Sequence, residues 1–362
     1  MTTLKSPVRR NNFGILRILF AVFVIVSHSP EIVDGNRSRE IVTRFFGSMS
    51  FGDVAVDGFF LVSGYLITKS FADRPELLPY LVKRIARIVP AYFVCFWLCV
   101  FVLAPLGKAD SKVFSVHGIL HNVHMNLLLR DPDAPGVFRG LPIPALNGSV
   151  WTISYEFRCY LLVPIVAGAA WLLHLSVSKL RWAVLALTFA GLLANTLQWV
   201  PARTGVYTDI TGVAADDVRF VAVFGVGALF YLFREKIPLN KFLAAASVVL
   251  LVAGLFNQRT AEAAVTVAGG YLIFWFALKA RAFRAGELVA RNDISYGVYL
   301  YAWPIQIFLV WRDPAISPWL VTVIAVVGAS IAGFASWHLL EKRVLKWAHR
   351  RVAKAAMEMR PV

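Results

Sequence analysis

Charge is scarce in this chain. Asp, Glu, Lys and Arg make up 16% of its 362 residues, whereas 58% are hydrophobic. A soluble domain of this length needs far more ionised surface, so that class is excluded. Cysteine is almost absent: Cys95, Cys99 and Cys159 all stand inside apolar runs. Their spacing is that of neither a zinc site nor a disulfide framework, and they read as small buried hydrophobes. Acid is scarcer than base, 21 residues against 37, which leaves a net charge of +16. No tandem repeat or low-complexity segment interrupts the chain, which argues against solenoids and repeat-built transporters.

What the chain has instead is apolar length, with a mean hydropathy of +0.65. Windows of eighteen or more mostly apolar residues recur, each long enough to cross a hydrocarbon core of ~30 Å. The runs and their punctuation predict an all-α membrane protein of about ten transmembrane helices, near 13–30, 51–70, 86–106, 150–174, 181–200, 218–234, 241–257, 262–280, 294–311 and 318–340. The first run follows a basic start but carries Arg17 and His28 and lacks a small-residue cleavage site, so it reads as a retained span rather than a signal peptide. With the N-terminus inside, 24 of the 37 basic residues fall in inward-facing segments and 10 in outward-facing ones. That bias predicts both termini cytoplasmic. Residues 1–12 would be an N-terminal tail, 13–342 the membrane domain with a long outer loop at about 107–148, and 343–362 a basic tail against anionic lipid. Base placed in alternate loops serves topology, and nucleic acid is not an expected partner.

Ionisable residues at membrane depth are costly and mark cavities, pairs or reaction sites. Arg17 and His28 are eleven residues apart, within about 20° on one helix face and ~16 Å along the axis. A snorkelling arginine with an interfacial histidine is the alternative. Asp57, four residues after Asp53, is placed at a depth similar to His28, where a carboxylate fixes an imidazole's tautomer as a general base requires; a helix N-terminal carboxylate favoured by the macrodipole is the alternative. Arg84 and Arg87 are i,i+3 neighbours whose forks suit phosphate, or else a positive-inside flank. Glu156 lies about a turn and a half from Trp151. Arg158 points nearly opposite, so Glu156 needs a partner elsewhere or a proton. Trp151 and Tyr155 form an aromatic ledge, read either as part of the membrane's aromatic belt or as a sugar-stacking surface. His117, His121 and His124 have i, i+4, i+7 spacing, but interleaved Val116, Leu120, Val123 and Leu127 make an interfacial helix the better reading than a metal site.

Taken in order, these segments resemble acyltransferase family three, integral membrane proteins that O-acylate polysaccharides and related acceptors. The resemblance rests on Arg17 with His28, on VDGFFLVSGYLI (Val56 to Ile67), on KRIARIVPAY (Lys83 to Tyr92), on SVWTISYEFRCYLL (Ser149 to Leu162) and on DISYGVYLYAWPIQ (Asp293 to Gln306). Two positions depart from the pattern: Ala302 stands where many relatives have histidine, and Arg343 where proline is frequent. No segment resembles the extracytoplasmic SGNH-type domain fused to some relatives, so transfer is expected to finish in the membrane domain or pass to a separate protein.

The resemblance implies an O-acetyltransferase of the bacterial cytoplasmic membrane that uses acetyl-CoA as acyl donor and no metal. Its acceptor would be a surface glycan, free or lipid-linked, supplied by polysaccharide biosynthesis machinery. Arg17, Arg84 and Arg87 would take the donor phosphates, His28 would act as base or acyl carrier, Asp57 would orient it, and Glu156 would assist at the acceptor beside Trp151 and Tyr155. From the residues alone, a proton-coupled transporter with a His28, Asp57 and Glu156 relay, or a lipid-linked glycan flippase, stands as the rival.

Overall fold

The computed structural model describes residues 11–200, 213–280 and 292–358. Residues 1–10 of the expected N-terminal tail, the last four of the C-terminal tail, and Arg203, Arg281, Arg284 and Arg291 of the orientation count lie outside the described residues. Among the described residues there is helix and connecting loop and no strand. The helices are α1 (Phe13–Asp34), α2 (Ile41–Phe46), α3 (Phe51–Asp73), α4 (Leu77–Leu106), α5 (Val116–Leu127), α6 (Thr152–Leu172), α7 (Val177–Thr196), α8 (Ala214–Leu232), α9 (Lys241–Leu255), α10 (Gln258–Lys279), α11 (Ser295–Arg312), α12 (Pro318–Ser336) and α13 (Lys342–Glu358). A π-helical segment, Trp337–Glu341, carries α12 on into α13.

The protein is an all-α integral membrane protein. Seven described helices are long and apolar enough to cross a membrane: α1, α3, α4, α6, α7, α10, and α12 with its continuation. The other three expected spans fall on helices that are more polar or shorter, each for a visible reason. α8 opens with Asp216, Asp217 and Arg219, α9 has 15 residues, and α11 is rich in Tyr and Trp and carries Gln306. Gln306 is fully buried against α1, donating to Ile25 O at 2.8 Å and Ser29 Oγ at 2.7 Å, so α11 meets protein where a lone span would meet lipid.

α1 packs between α3 and α11, α3 runs along α8, and α12 covers α11. The α3–α8 seam depends on glycine. A Cβ at Gly64 would lie 2.0 Å from Phe224 O, and one at Gly227 would lie 2.1 Å from Leu61 O. Backbones this close are the small-residue packing that membrane helices use when the hydrophobic effect cannot drive association. α7 lies at the lipid-facing edge, with 6% of its core window buried against 61% for α3.

The long loop between α4 and α6 carries α5, which exposes Val116, Leu120 and Leu127 and buries Asn122 and Asn126. Asn122 holds the loop by bonding Asp133 backbone through both ends of its amide. Further along, Pro142 sits against Gly35 at the end of α1, and Trp303 Nε1 donates to Ala145 O at 3.0 Å. The loop therefore covers the His28 end of the bundle.

Candidate active site

Three arginines gather where α1, α4 and α11 begin. Arg17 and Arg87 both bond Asp293 Oδ2, at 2.7 and 2.8 Å, and Arg87 also reaches Glu341 at 3.1 Å. Asp293 lies just before α11. Burial alone would raise its carboxyl, but Arg17, Arg87 and a bond from Ser295 hold it well below the usual carboxylate range. Glu341 is fully buried, turned inward by the π-helical segment, and Ser336 donates to it at 2.9 Å. Arg84 differs from its neighbours. It stacks over Tyr80 at 5.9 Å, its Nε is buried without a partner, and among the described residues no carboxylate pairs with it. Two arginines are thus neutralised within the fold, and Arg84 has no carboxylate partner among the described residues.

Arg17 and Arg87 form one end of a cavity lined by Phe59, Ser63, Thr152, Glu156, Tyr160, Tyr296 and Tyr299. It leaves about 50 Å³ of open volume, enough for a short acyl group or a water or two at ~30 Å³ each. A nucleotide has to stay outside, at the arginine end. Glu156 Oε1 accepts from Ser63 Oγ at 2.9 Å and from the Tyr160 hydroxyl one turn on. Arg158 instead pairs with Asp217 at 3.2 Å. The partner that the sequence required for Glu156 comes from α3 and from its own helix.

His28 is 7% exposed, with its ring edge-to-face against Trp303 at 4.8 Å. Its Nδ1 lies 2.6 Å from Glu31 Oε2. Arg37 grips Glu31 through both carboxylate oxygens, at 3.2 and 3.0 Å, and bonds Ser50 Oγ at 3.0 Å. Ser50 and Asp53 form the capping box that starts α3, so the His28 partner is anchored to a helix end. With Nδ1–H given to Glu31, Nε2 is left as the basic nitrogen.

Asp57 is not that partner. It is fully buried and accepts from Arg219 at 2.9 Å, and Arg219 also reaches Glu262 on α10 at 3.1 Å. The depth argument fails for a geometric reason: along the α1–α3 contact, Gly52 meets Ser27 while Gly58 meets Phe20. Asp57 therefore lies near the level of Ala21, ~10 Å deeper than His28 at 1.5 Å per residue. The carboxylate beside His28 was in the sequence at i+3, on the same helix face.

Trp151 and Tyr155 pack against each other at 5.7 Å and both against Phe220. Tyr155 is 2% exposed, accepts from Val213 N at 2.9 Å and donates to Asp216 at 3.4 Å, so only Trp151 of the pair keeps free ring surface. His121 pairs with Asp133 at 3.3 Å, and among the described residues no group of three His, Cys, Asp or Glu side chains is placed to hold a metal. Glu31, Arg37, Asp293, Glu341, Arg219 and Tyr160 were not picked out as site residues from sequence. Of these, Glu31 and Tyr160 carried a local signal, three residues after His28 and four after Glu156, and Arg37 follows Glu31 by six; Asp293, Glu341 and Arg219 join through contacts distant in the chain.

A family model described as an acyltransferase domain matches residues 10–338. The chain is similar to a protein named O-acetyl transferase from Shigella phage Sf6, 27% identical over 340 residues that cover 93% of this chain and 96% of that one. It is also similar to Nodulation protein 10 of Rhizobium leguminosarum bv. viciae, 26% identical over 379 residues covering 96% and 97%. No solved structure matches it.

Proposed function

Because the chain belongs to the acyltransferase-domain family, and so is a membrane-embedded acyltransferase, we propose that it carries an acetyl group from cytoplasmic acetyl-CoA to a hydroxyl of a surface or lipid-linked polysaccharide. The observation that carries this reading is the arginine end opening into a narrow, polar-lined cavity. Arg84, which lacks an internal counter-ion among the described residues, takes a donor phosphate, with Arg17 and Arg87 as a positive rim already set by Asp293. The cavity past Glu156 to the level of Val56 and Thr152 marks the path of the pantetheine arm, which must widen it to enter. The arginine end faces the cytoplasm of a bacterial cell, as the loop charges favour.

The chemistry assigned to the chain's own groups is modest. His28 Nε2 takes the proton of the acceptor hydroxyl as its oxygen attacks the thioester carbonyl. Collapse breaks the C–S bond, forms the acetyl ester and releases CoA thiolate, which takes up the proton. Glu31 keeps the imidazole in the productive tautomer and aim, and Arg37 fixes Glu31. Glu156, with Ser63 and Tyr160, lines the donor's path towards His28. Asp57 is proposed to support the site through Arg219, not to touch the reacting atoms, and Trp151 is the ring left for a sugar. The cavity stops at Val56, ~10 Å of bundle axis below His28, so substrates must part the Trp303 and 142–148 cover to meet. Purified protein given acetyl-CoA and a glycan acceptor should release thiol and form ester together, and His28→Ala should do neither while remaining folded. Full transfer by folded His28→Ala would end the assignment.

A further inference from the structure

A second site lies on the far side of α4. Leu78, Val82, Ile85 and Val89 follow i, i+4, i+7, i+11 spacing and turn away from the Arg84 and Arg87 face. Opposite them α13 presents Val344, Trp347 and Arg351, again one helical stripe. Between the two runs a groove of about 950 Å³ with mainly apolar walls. Leu78 is 71% and Trp347 56% exposed, so neither wall is closed by protein. Charge gathers at one end. Arg351 stacks on Trp347 at 5.6 Å, and among the described residues no carboxylate pairs with it. Arg74, at the same groove, is already neutralised by Glu76 at 2.7 Å.

We infer that this groove seats one anionic phospholipid, its acyl chains on the α4 and α13 stripes and its phosphate on Arg351. Apolar walls ending in one free guanidinium complement an amphiphile with an anionic head, and basic pockets between helices at the cytoplasmic face are where such heads bind. The leaflet follows from the orientation proposed above; the site itself does not depend on acyl transfer. Its position gives the lipid a consequence: α13 hangs from the Glu341 end of the π-helical segment, and Glu341 holds Arg87. A lipid that fixes α13 against α4 steadies the donor end from behind.

The test uses the full chain in nanodiscs of equal phosphatidylglycerol and phosphatidylcholine, with retained lipid counted by native mass spectrometry. One phosphatidylglycerol should persist after excess lipid is stripped. Arg351→Gln should lower its retention about fivefold, the effect of one basic residue near an anionic head, and Arg351→Glu should lower it further. Lys346→Glu makes the same change of net charge as Arg351→Glu, about 140° round the helix from Arg351, and should leave retention unchanged. Trp347→Ala, which removes the apolar wall, should also release the phosphatidylglycerol. Equal loss in Lys346→Glu and Arg351→Glu would mean a diffuse basic surface and overturn the site, as would equal retention of the two lipids. None of these readings involves acetyl-CoA, so failure of the acyltransferase reading would leave them intact.

Discussion

Replacing Glu31 by Gln is the most informative single change, because it keeps the shape of the His28 partner and removes its charge. In the native protein the 2.6 Å contact between His28 Nδ1 and Glu31 Oε2 is charge-assisted, and Arg37 holds the carboxylate from the other side. A hydrogen bond to a charged group contributes ~1.5–3 kcal/mol, against ~1 kcal/mol for a neutral one. The loss expected at the transition state, where His28 becomes imidazolium, is therefore about 1–2 kcal/mol, or roughly 5- to 30-fold in kcat. KM for acetyl-CoA should hardly move, since Glu31 is far from the arginine end. Arg37→Gln should give a smaller loss of the same kind, and the double variant should be little worse than Glu31→Gln, because the two act on His28 through one contact. Steady-state thiol release across a donor series, on variants matched for monodispersity, measures this. Wild-type kcat in Glu31→Gln would refute the orienting role. Multiplying losses in the double variant would separate Arg37 from Glu31.

The arginines should divide by their partners. Arg84→Ala should raise the apparent KM for acetyl-CoA about tenfold for ~1.4 kcal/mol of lost pairing with normal folding, whereas Arg87→Ala should reduce folded yield, since it strands buried Glu341 at a cost of ~3–5 kcal/mol. Gly64→Ala should lower thermal stability by ~3 kcal/mol or more, because its Cβ meets backbone and no side chain can move aside, while Gly168→Ala, which meets nothing within 4 Å, should be neutral. Asp131, in the loop between α4 and α6, has a carboxyl pushed up to about 7 by burial, with Arg130 pulling more weakly the other way. Between about pH 4 and pH 7 the native state then holds a proton that the unfolded chain has lost, so stability should fall as pH rises through that window and level off above it. Asp131→Asn should flatten the fall in pH-dependent melting curves, and an unchanged slope would show that Asp131 does not cause it.

Much of this arrangement is legible in the chain because a membrane makes its rules visible. Apolar length marks the helices, and charges inside them mark sites. Every expected span lies on a described helix, and α8 and α11 are the ones whose polar residues need protein neighbours. Arg17, Arg84 and Arg87 converge because α1 and α4 begin at the same end, which the span pattern predicts. Depth was harder to read. Asp57 and His28 look level when counted from the ends of their runs, but α1 continues past His28 to Asp34, and the offset between α1 and α3 is set by the Gly52 and Gly58 contacts. The pairing of Arg219 with Asp57, or of Arg87 with Glu341, joins residues 162 and 254 positions apart, and no local periodicity encodes it. Glu31 is the exception, local to His28 at i+3 on the same helix face.

In the proposed mechanism donor and acceptor approach from opposite ends of one bundle and meet near His28. Proteoliposomes with acetyl-CoA confined to the compartment facing the arginine end and glycan confined to the other test it directly, with Lys354 labelling fixing the orientation. Acetyl ester should form on the glycan with free CoA thiol retained in the donor compartment, both lost in His28→Ala. Ester formed only when donor and glycan share a compartment would contradict the mechanism.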